Sequence, residues 1–176
     1  MPSLTIDTTV DIDASRDAVW DVLTDFASYS EWNPSMRIEG TPEVGTTLVV
    51  HLLADGGHGM SFKPKVLAAT PGEELRWLGK LGFHGIADGE HFFILTTDDD
   101  GTTRLNHGER FSGVLVALAR GSSGKSGAAY EAFSQALKQR VEHLDRSRER
   151  KLRRTTRLPG RVSGADTTRD RRRSRE

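Results

Sequence analysis

Between Ala128 and Leu144 the residues Tyr130, Phe133, Leu137, Val141 and Leu144 recur at steps of three and four, which sets them along one side of an α-helix. Glu131, Gln135, Lys138, Gln139, Arg140 and Glu142 fall between them and suit a solvated face. Glu131 stands four residues before Gln135, and Lys138 four before Glu142, so polar neighbours can pair across turns. Burying such apolar side chains is worth roughly 1.5–3 kcal/mol each before conformational entropy is counted. The stripe therefore needs a covering surface. Nearly everything upstream reads as strands, so a sheet is expected to curl around this helix.

The chain has 176 residues, which suits one domain plus extras. Cysteine is absent, so disulfides, thiolate catalysis and cysteine-based zinc sites are excluded. The apolar runs are too short to cross a bilayer. The N-terminus lacks a basic segment followed by an apolar one, so a cytoplasmic location is expected. A net charge of zero hides an asymmetry: residues 1–144 carry 12 Lys/Arg and 20 Asp/Glu, residues 145–176 carry 13 and 5. The reading is a domain over 1–145 and an Arg-rich tail over 146–176. That tail is a helical extension followed by a disordered segment, because a run of Arg, Ser, Thr, Asp and Gly cannot bury a core. It can be a solvated extension, contact nucleic acid or anionic membrane, or fold back on the acidic body; with no interleaved aromatic residue base stacking is unsupported, and the solvated reading is favoured, with no clear nucleic-acid partner.

Leu4, Ile6, Val10 and Ile12 alternate with polar residues as in a half-buried strand. Ser15 is placed to cap a helix carrying Val19, Trp20, Leu23 and Phe26, with Asp17 in its first turn. A second short helix is expected over Ser28–Trp32, stopped by Asn33-Pro34. Strands follow at Met36–Glu39, Thr46–Leu53, Met60–Leu67, Glu74–Leu81, Ile86–Thr97 and Thr102–Phe111. Pro64 marks a bulge or an edge. Asp55-Gly56-Gly57, Pro71-Gly72 and Asp98-Asp99-Asp100-Gly101 are turn signals. Gly113–Arg120 is expected as a short helix, and Gly121–Gly124 as a link to the long one. The order predicts an α+β fold: a curved antiparallel sheet of about seven strands around a long C-terminal helix, with two short helices after strand 1.

That order resembles the START-like or Bet v 1-like (SRPBCC) superfamily, and most of all its bacterial polyketide cyclase/dehydrase-type members. The resemblance rests on Ala18–Phe26, Tyr29, Glu31-Trp32-Asn33-Pro34, Leu75-Arg76-Trp77, Gly89-Glu90-His91-Phe92-Phe93 and Leu105–Gly113, and spans about residues 3–145. It implies a helix-grip fold with a cavity for a hydrophobic small molecule or lipid between sheet and helix. Members include carriers and aromatase/cyclases, so the resemblance does not choose between them.

Strand alternation selects the side chains facing such a cavity. On the hairpin these are His91, Phe93 and Leu95, then Leu105, His107, Glu109 and Phe111. Met60, Phe62, Val66 and Trp77 join the wall. Phe133 and Leu137 meet it from the helix, Leu115 from the segment before it, and Trp32 closes one end. Phe92 and Ile94 fall on the outer face and are expected to be exposed, to lie under a neighbouring element or to form a partner interface. His91, His107 and Glu109 are the polar members of the inner set. Either they satisfy one another or water, or they orient the polar end of an apolar ligand. As acid/base candidates they suit a polyketide cyclase/dehydratase. Their spacing is not diagnostic of a metal, and no metal or cofactor is expected. Three functions remain open: a binder of a hydrophobic small molecule, such an enzyme, and a partner-binding module using Phe92, Ile94 and the tail.

Overall fold

The computed structural model describes residues 3–53, 59–81, 87–99, 101–113 and 123–156. Alternation carries the first strand, β1 (Ser3–Ile12), which buries Val10 and Ile12 and leaves Asp7, Thr9 and Asp11 exposed. Helix α1 (Arg16–Thr24) is capped as its sequence predicts: the Ala18 amide donates to Ser15 Oγ at 3.2 Å, and Asp17 sits in the first turn. It buries Val19, Val22 and Leu23. A 3-10 turn (Phe26–Ser28) and the single-turn α2 (Tyr29–Trp32) follow. Asn33 is extended, as a residue before proline prefers.

The remaining strands are β2 (Met36–Glu39), β3 (Val49–Leu52), β4 (Ser61–Phe62), β5 (Lys65–Thr70), β6 (Glu74–Leu81), β7 (Ala87–Thr97) and β8 (Thr103–Ser112). Described pairings are antiparallel, in a five-stranded sheet β1-β8-β7-β6-β5 and a three-stranded sheet β2-β3-β4. Eight strands thus replace the expected seven or so. Pro64 divides the Met60–Leu67 run into β4 and β5, since proline has no amide hydrogen for a continuous ladder. The two sheets share a seam. The amides of Gly45 and Leu48 donate to the carbonyls of Val66 and Pro64, and the Val66 amide donates to the Thr46 carbonyl. Residues 45–52 therefore pair first with β5 and then with β2 and β4, which turns the surface around a corner.

Helix α3 (Ser123–Thr156) is 34 residues long. It buries Phe133, Leu137 and Val141 as the stripe predicts, and Ser134 beside them. Three contacts hold it along β1. Thr8 Oγ1 donates to Glu131 Oε2 at 2.5 Å, the Asp13 amide to Glu142 Oε1 at 3.2 Å, and Lys138 Nζ to the Asp11 carbonyl. The helix starts earlier than expected and runs on past Leu144, where Arg146, Arg148, Arg150, Lys151, Arg153 and Arg154 are exposed. The expected helix over Gly113–Arg120, with Leu115, lies outside the described residues from 114 onward, as does the tail from 157.

One open choice about faces is resolved and one expectation changes. Phe92 is on the outer face but buried, because the Arg76 guanidinium lies 5.8 Å over its ring and is anchored by Glu74 and Glu90. Met60 is 58% exposed rather than part of the inner wall; β4 begins only at Ser61, so strand alternation does not reach it.

Between His107 and Glu109 the chain needs a residue without a side chain. Gly108 pairs with Asp7, and a Cβ there would lie 2.4 Å from the Ile6 carbonyl oxygen and 2.7 Å from Asp7 Cβ. Gly108→Ala is expected to destabilise the protein by about 1–3 kcal/mol, the usual range for overpacking. Urea unfolding followed by circular dichroism measures this, and an unchanged midpoint would mean that β1 yields freely.

Candidate functional site

The register of β6, β7 and β8 aligns Trp77 with His91 and His91 with Glu109, and sets Phe93 beside His107. All five point toward α3, as alternation predicts. Their rings then stack: Trp77 on His91 at 4.8 Å and 9°, and Phe93 on His107 at 4.4 Å and 11°. From α3, Phe133 packs against Phe93 at 5.4 Å and His107 at 4.7 Å. The middle of the space between sheet and helix is therefore filled by rings. Trp77, Phe93, His107, Leu105, Phe133, Leu137 and Val66 are buried there. The indole N–H of Trp77 is buried among them without an acceptor among the described residues.

Through this packing runs a chain of polar contacts. Tyr130 donates its hydroxyl to Glu109 Oε2 at 2.5 Å. Glu109 Oε2 lies 3.5 Å from His91 Nδ1. His91 Nε2 faces His107 Nε2 at 2.9 Å, and His107 Nδ1 faces Ser134 Oγ at 3.0 Å. A carboxylate only accepts, so His91 Nδ1 carries a hydrogen. With His91 neutral, its Nε2 accepts from His107 Nε2–H, and Ser134 donates to His107 Nδ1. With His91 protonated, its Nε2–H donates to His107, and His107 Nδ1–H points to Ser134. Two N–H groups cannot face each other at this distance, so the pair holds at most one positive charge.

The electrostatics agree with that limit. Burial holds the His107 imidazole well below its ordinary range, and charge on His91 pushes the same way. For Glu109, burial alone would raise the carboxyl, but hydrogen bonding and charge from His91, with the Tyr130 hydroxyl, outweigh it and the group is lowered. Burial and the neighbouring Glu109 carboxylate push the Tyr130 phenol up. At neutral pH Glu109 is a carboxylate and Tyr130 a neutral donor.

Toward one end the described residues of the inner face are less buried. Gly79 and Gly89 pair across β6 and β7 and bring no side chain. The Phe62 ring lies 3.3 Å from where a Gly79 Cβ would be. Glu109 Oε1 lies 2.1 Å from where a Gly89 Cβ would be, with the Phe111 ring at 3.7 Å. Leu4, Ile6, Phe62, Phe111 and Tyr130 are only half-buried here, although the deeper ring cluster is closed. Of the sequence-predicted set, Phe62, Glu109 and Phe111 lie at this half-buried end. His91, Phe93, Leu105, His107, Trp77, Val66, Phe133 and Leu137 form the sealed interior behind it.

Trp32 is elsewhere. It packs on Tyr29 and Phe133 and lines an outer groove between α2 and α3 with Glu31, Ala136, Gln139, Arg140 and His143. Sequence reasoning assigned Tyr130 to the stripe without a role, and missed Ser134 and Gly89. Tyr130 and Ser134 are four residues apart on α3, a spacing that could have shown them sharing the face toward His107. Among the described residues no group of His, Asp or Glu is arranged to hold a metal ion.

Comparison with known proteins agrees with this fold. A family model described as polyketide cyclase / dehydrase and lipid transport matches residues 3–149. No curated protein matches significantly. Among solved structures, a START superfamily protein from Mycobacterium smegmatis is 19% identical, with 80% of this chain and 98% of that one covered and a TM-score of 0.64. A Mesorhizobium loti protein is 24% identical, covering 81% and 98%, with a TM-score of 0.60. Norcoclaurine synthase from Thalictrum flavum, solved with dopamine and hydroxybenzaldehyde, is 12% identical, covering 80% and 87%, with a TM-score of 0.61. These likenesses show the helix-grip fold shared by START and Bet v 1-like proteins, and the family match over 3–149 shows more: the chain belongs to the polyketide cyclase / dehydrase and lipid transport family.

Proposed function

We propose that this protein binds a hydrophobic small molecule or lipid at the half-buried end of the space between the sheet and α3. One observation carries the reading. Leu4, Ile6, Phe62 and Phe111 face the helix side of the sheet yet stay half-exposed around a single carboxylate. An apolar lining with a few placed polar groups is how small-molecule sites are usually built. The family match, whose description includes lipid transport, supports it.

Native mass spectrometry of the purified protein, followed by release and identification of bound material, tests the proposal. Uptake from a panel of lipids and aromatic polyketides is expected; apo protein with no uptake from any of them would end it. Phe111→Ala or Phe62→Ala is expected to weaken binding of an apolar fluorescent probe about tenfold, with Arg146→Ala and Arg148→Ala near unchanged. Equal losses in all four variants would contradict the location.

The second reading is an enzyme of the cyclase/dehydratase kind. The chain from Ser134 through His107 and His91 to Glu109 favours it, since it links the half-buried end to two imidazoles that can hold a proton. The histidines are sealed behind that end, His91 at 6% exposure and His107 at 0%. In this reading Glu109 and Tyr130 therefore meet the substrate, and His91 and His107 relay protons to them.

A further inference from the structure

We infer that the guest's polar end is a hydrogen-bond donor, a hydroxyl or an amine, received by Glu109 Oε1, and that carboxylate-headed lipids are refused. The inference rests on the binding reading above and specifies its ligand class.

Glu109 divides its two oxygens between two tasks. Oε2 is committed to the protein: it accepts from the Tyr130 hydroxyl and faces His91 Nδ1. Oε1 has no donor among the described residues, and the side chain keeps 19% exposure. Its position is set by Gly89, because any side chain at that position would meet Oε1 at 2.1 Å. The carboxylate thus rests on bare backbone, held by two donors on its inner oxygen while its outer oxygen turns toward the half-exposed apolar rim.

Charge then selects the guest. An ionised carboxylate accepts and cannot donate. A guest carboxylate would bring a second negative charge beside Glu109 with no donor between them, and like charges in a partly desolvated site repel strongly. Compensation would require a cation at the rim. At this end the described inward positions of β1, β6, β7 and β8 are Leu4, Ile6, Gly79, Gly89, Glu109 and Phe111, with no lysine or arginine among them. A hydroxyl or ammonium instead supplies the missing donor to Oε1. The apolar remainder of either molecule covers Phe62 and Phe111.

A matched series on the full chain decides this: 1-decanol, decylamine and decanoate, each displacing an apolar fluorescent probe at pH 7. Decanol, decylamine or both are expected to compete at least about tenfold better than decanoate, and which of them competes tells hydroxyl from amine. Glu109→Gln is expected to narrow that gap, because the amide removes the charge and can itself donate. Decanoate competing as well as the other two on the unaltered chain would overturn the inference while leaving the binding reading intact. A gap unchanged in a folded Glu109→Gln protein would overturn the assignment to Glu109. If Glu109→Gln fails to fold, Tyr130→Phe takes its place. It leaves the carboxylate but frees its inner oxygen, and a gap that widens or persists supports the inference, whereas its loss overturns it. No competition by any of the three would overturn the binding reading itself.

Discussion

Replacing Phe133 with alanine is expected to cost about 3–5 kcal/mol of folding stability, the range for deleting a large aromatic side chain from a closed core. Phe133 is 1% exposed. Its ring meets Tyr29 at 6.2 Å, Trp32 at 5.5 Å, Phe93 at 5.4 Å and His107 at 4.7 Å. It therefore joins three pieces of the fold: α2, the β7–β8 hairpin and α3. The void left by truncation would be lined by rings held on separate elements, which cannot collapse together without moving a helix or a strand. Phe62→Ala is the control. It removes a similar ring from the half-exposed rim, where water can fill the space, and is expected to cost less than half as much. Urea unfolding curves for the two variants check this, with the slope compared so that a change in the denatured state is not mistaken for lost packing. A loss under about 1 kcal/mol for Phe133→Ala would show that α3 is not keyed to the sheet through this ring.

The role of Phe133 was readable in the sequence because helix periodicity is a property of one element. Spacing alone placed Phe133, Leu137 and Val141 on one stripe, and the structure buries all three. The same holds for the β7–β8 hairpin. Alternation put His91, Phe93, Leu105, His107 and Glu109 on one face before any partner strand was known, and their antiparallel register keeps them there. Pro64 announced a bulge or an edge, and the structure instead splits the strand into two there.

What stayed hidden depends on more than one element at a time. The seat of Glu109 over Gly89 is a diagonal contact: Gly89 is paired with Phe111, and Glu109 with His91, so only the register reveals it. Ser134 drew no reading from the sequence, and its burial follows from His107 lying opposite. Trp32 read as a cap on the cavity, yet the packing of α2 on α3 turns it to an outer groove. Gly124, Gly127 and three serines before Ala128 are poor helix formers, so α3 was expected to start later than Ser123. Local propensity there is overridden by continuity with the helix that the core holds in place.

A buried imidazole that stays neutral makes the protein sensitive to acid, and the sign of the effect follows from His107. Its folded pKa lies well below the ordinary 6.5. The unfolded chain therefore takes up a proton below pH 6.5 that the folded chain refuses. Stability is fully present above that value and is lost as pH falls. Stability keeps falling with pH below it for as long as the folded ring stays neutral. Glu109, lowered from 4.5, adds a second loss only below that pH, so the curve should steepen there. The groups facing His107 explain why it cannot charge in place. His91 Nε2 is 2.9 Å away on β7, and Ser134 Oγ with the Tyr130 ring on α3 close the other side. The Glu109 carboxylate is set against His91 Nδ1 at 3.5 Å. His107→Gln removes the titration while keeping a polar side chain of similar reach. Its stability at pH 7 is expected to be lower by about 1–3 kcal/mol, since one imidazole contact is left unmade. Its dependence on pH below 6.5 is expected to be flatter than that of the unaltered chain. Urea midpoints for both proteins at pH 7.0, 6.0 and 5.0 give the two slopes; parallel slopes would place the acid sensitivity somewhere other than the His107 ring.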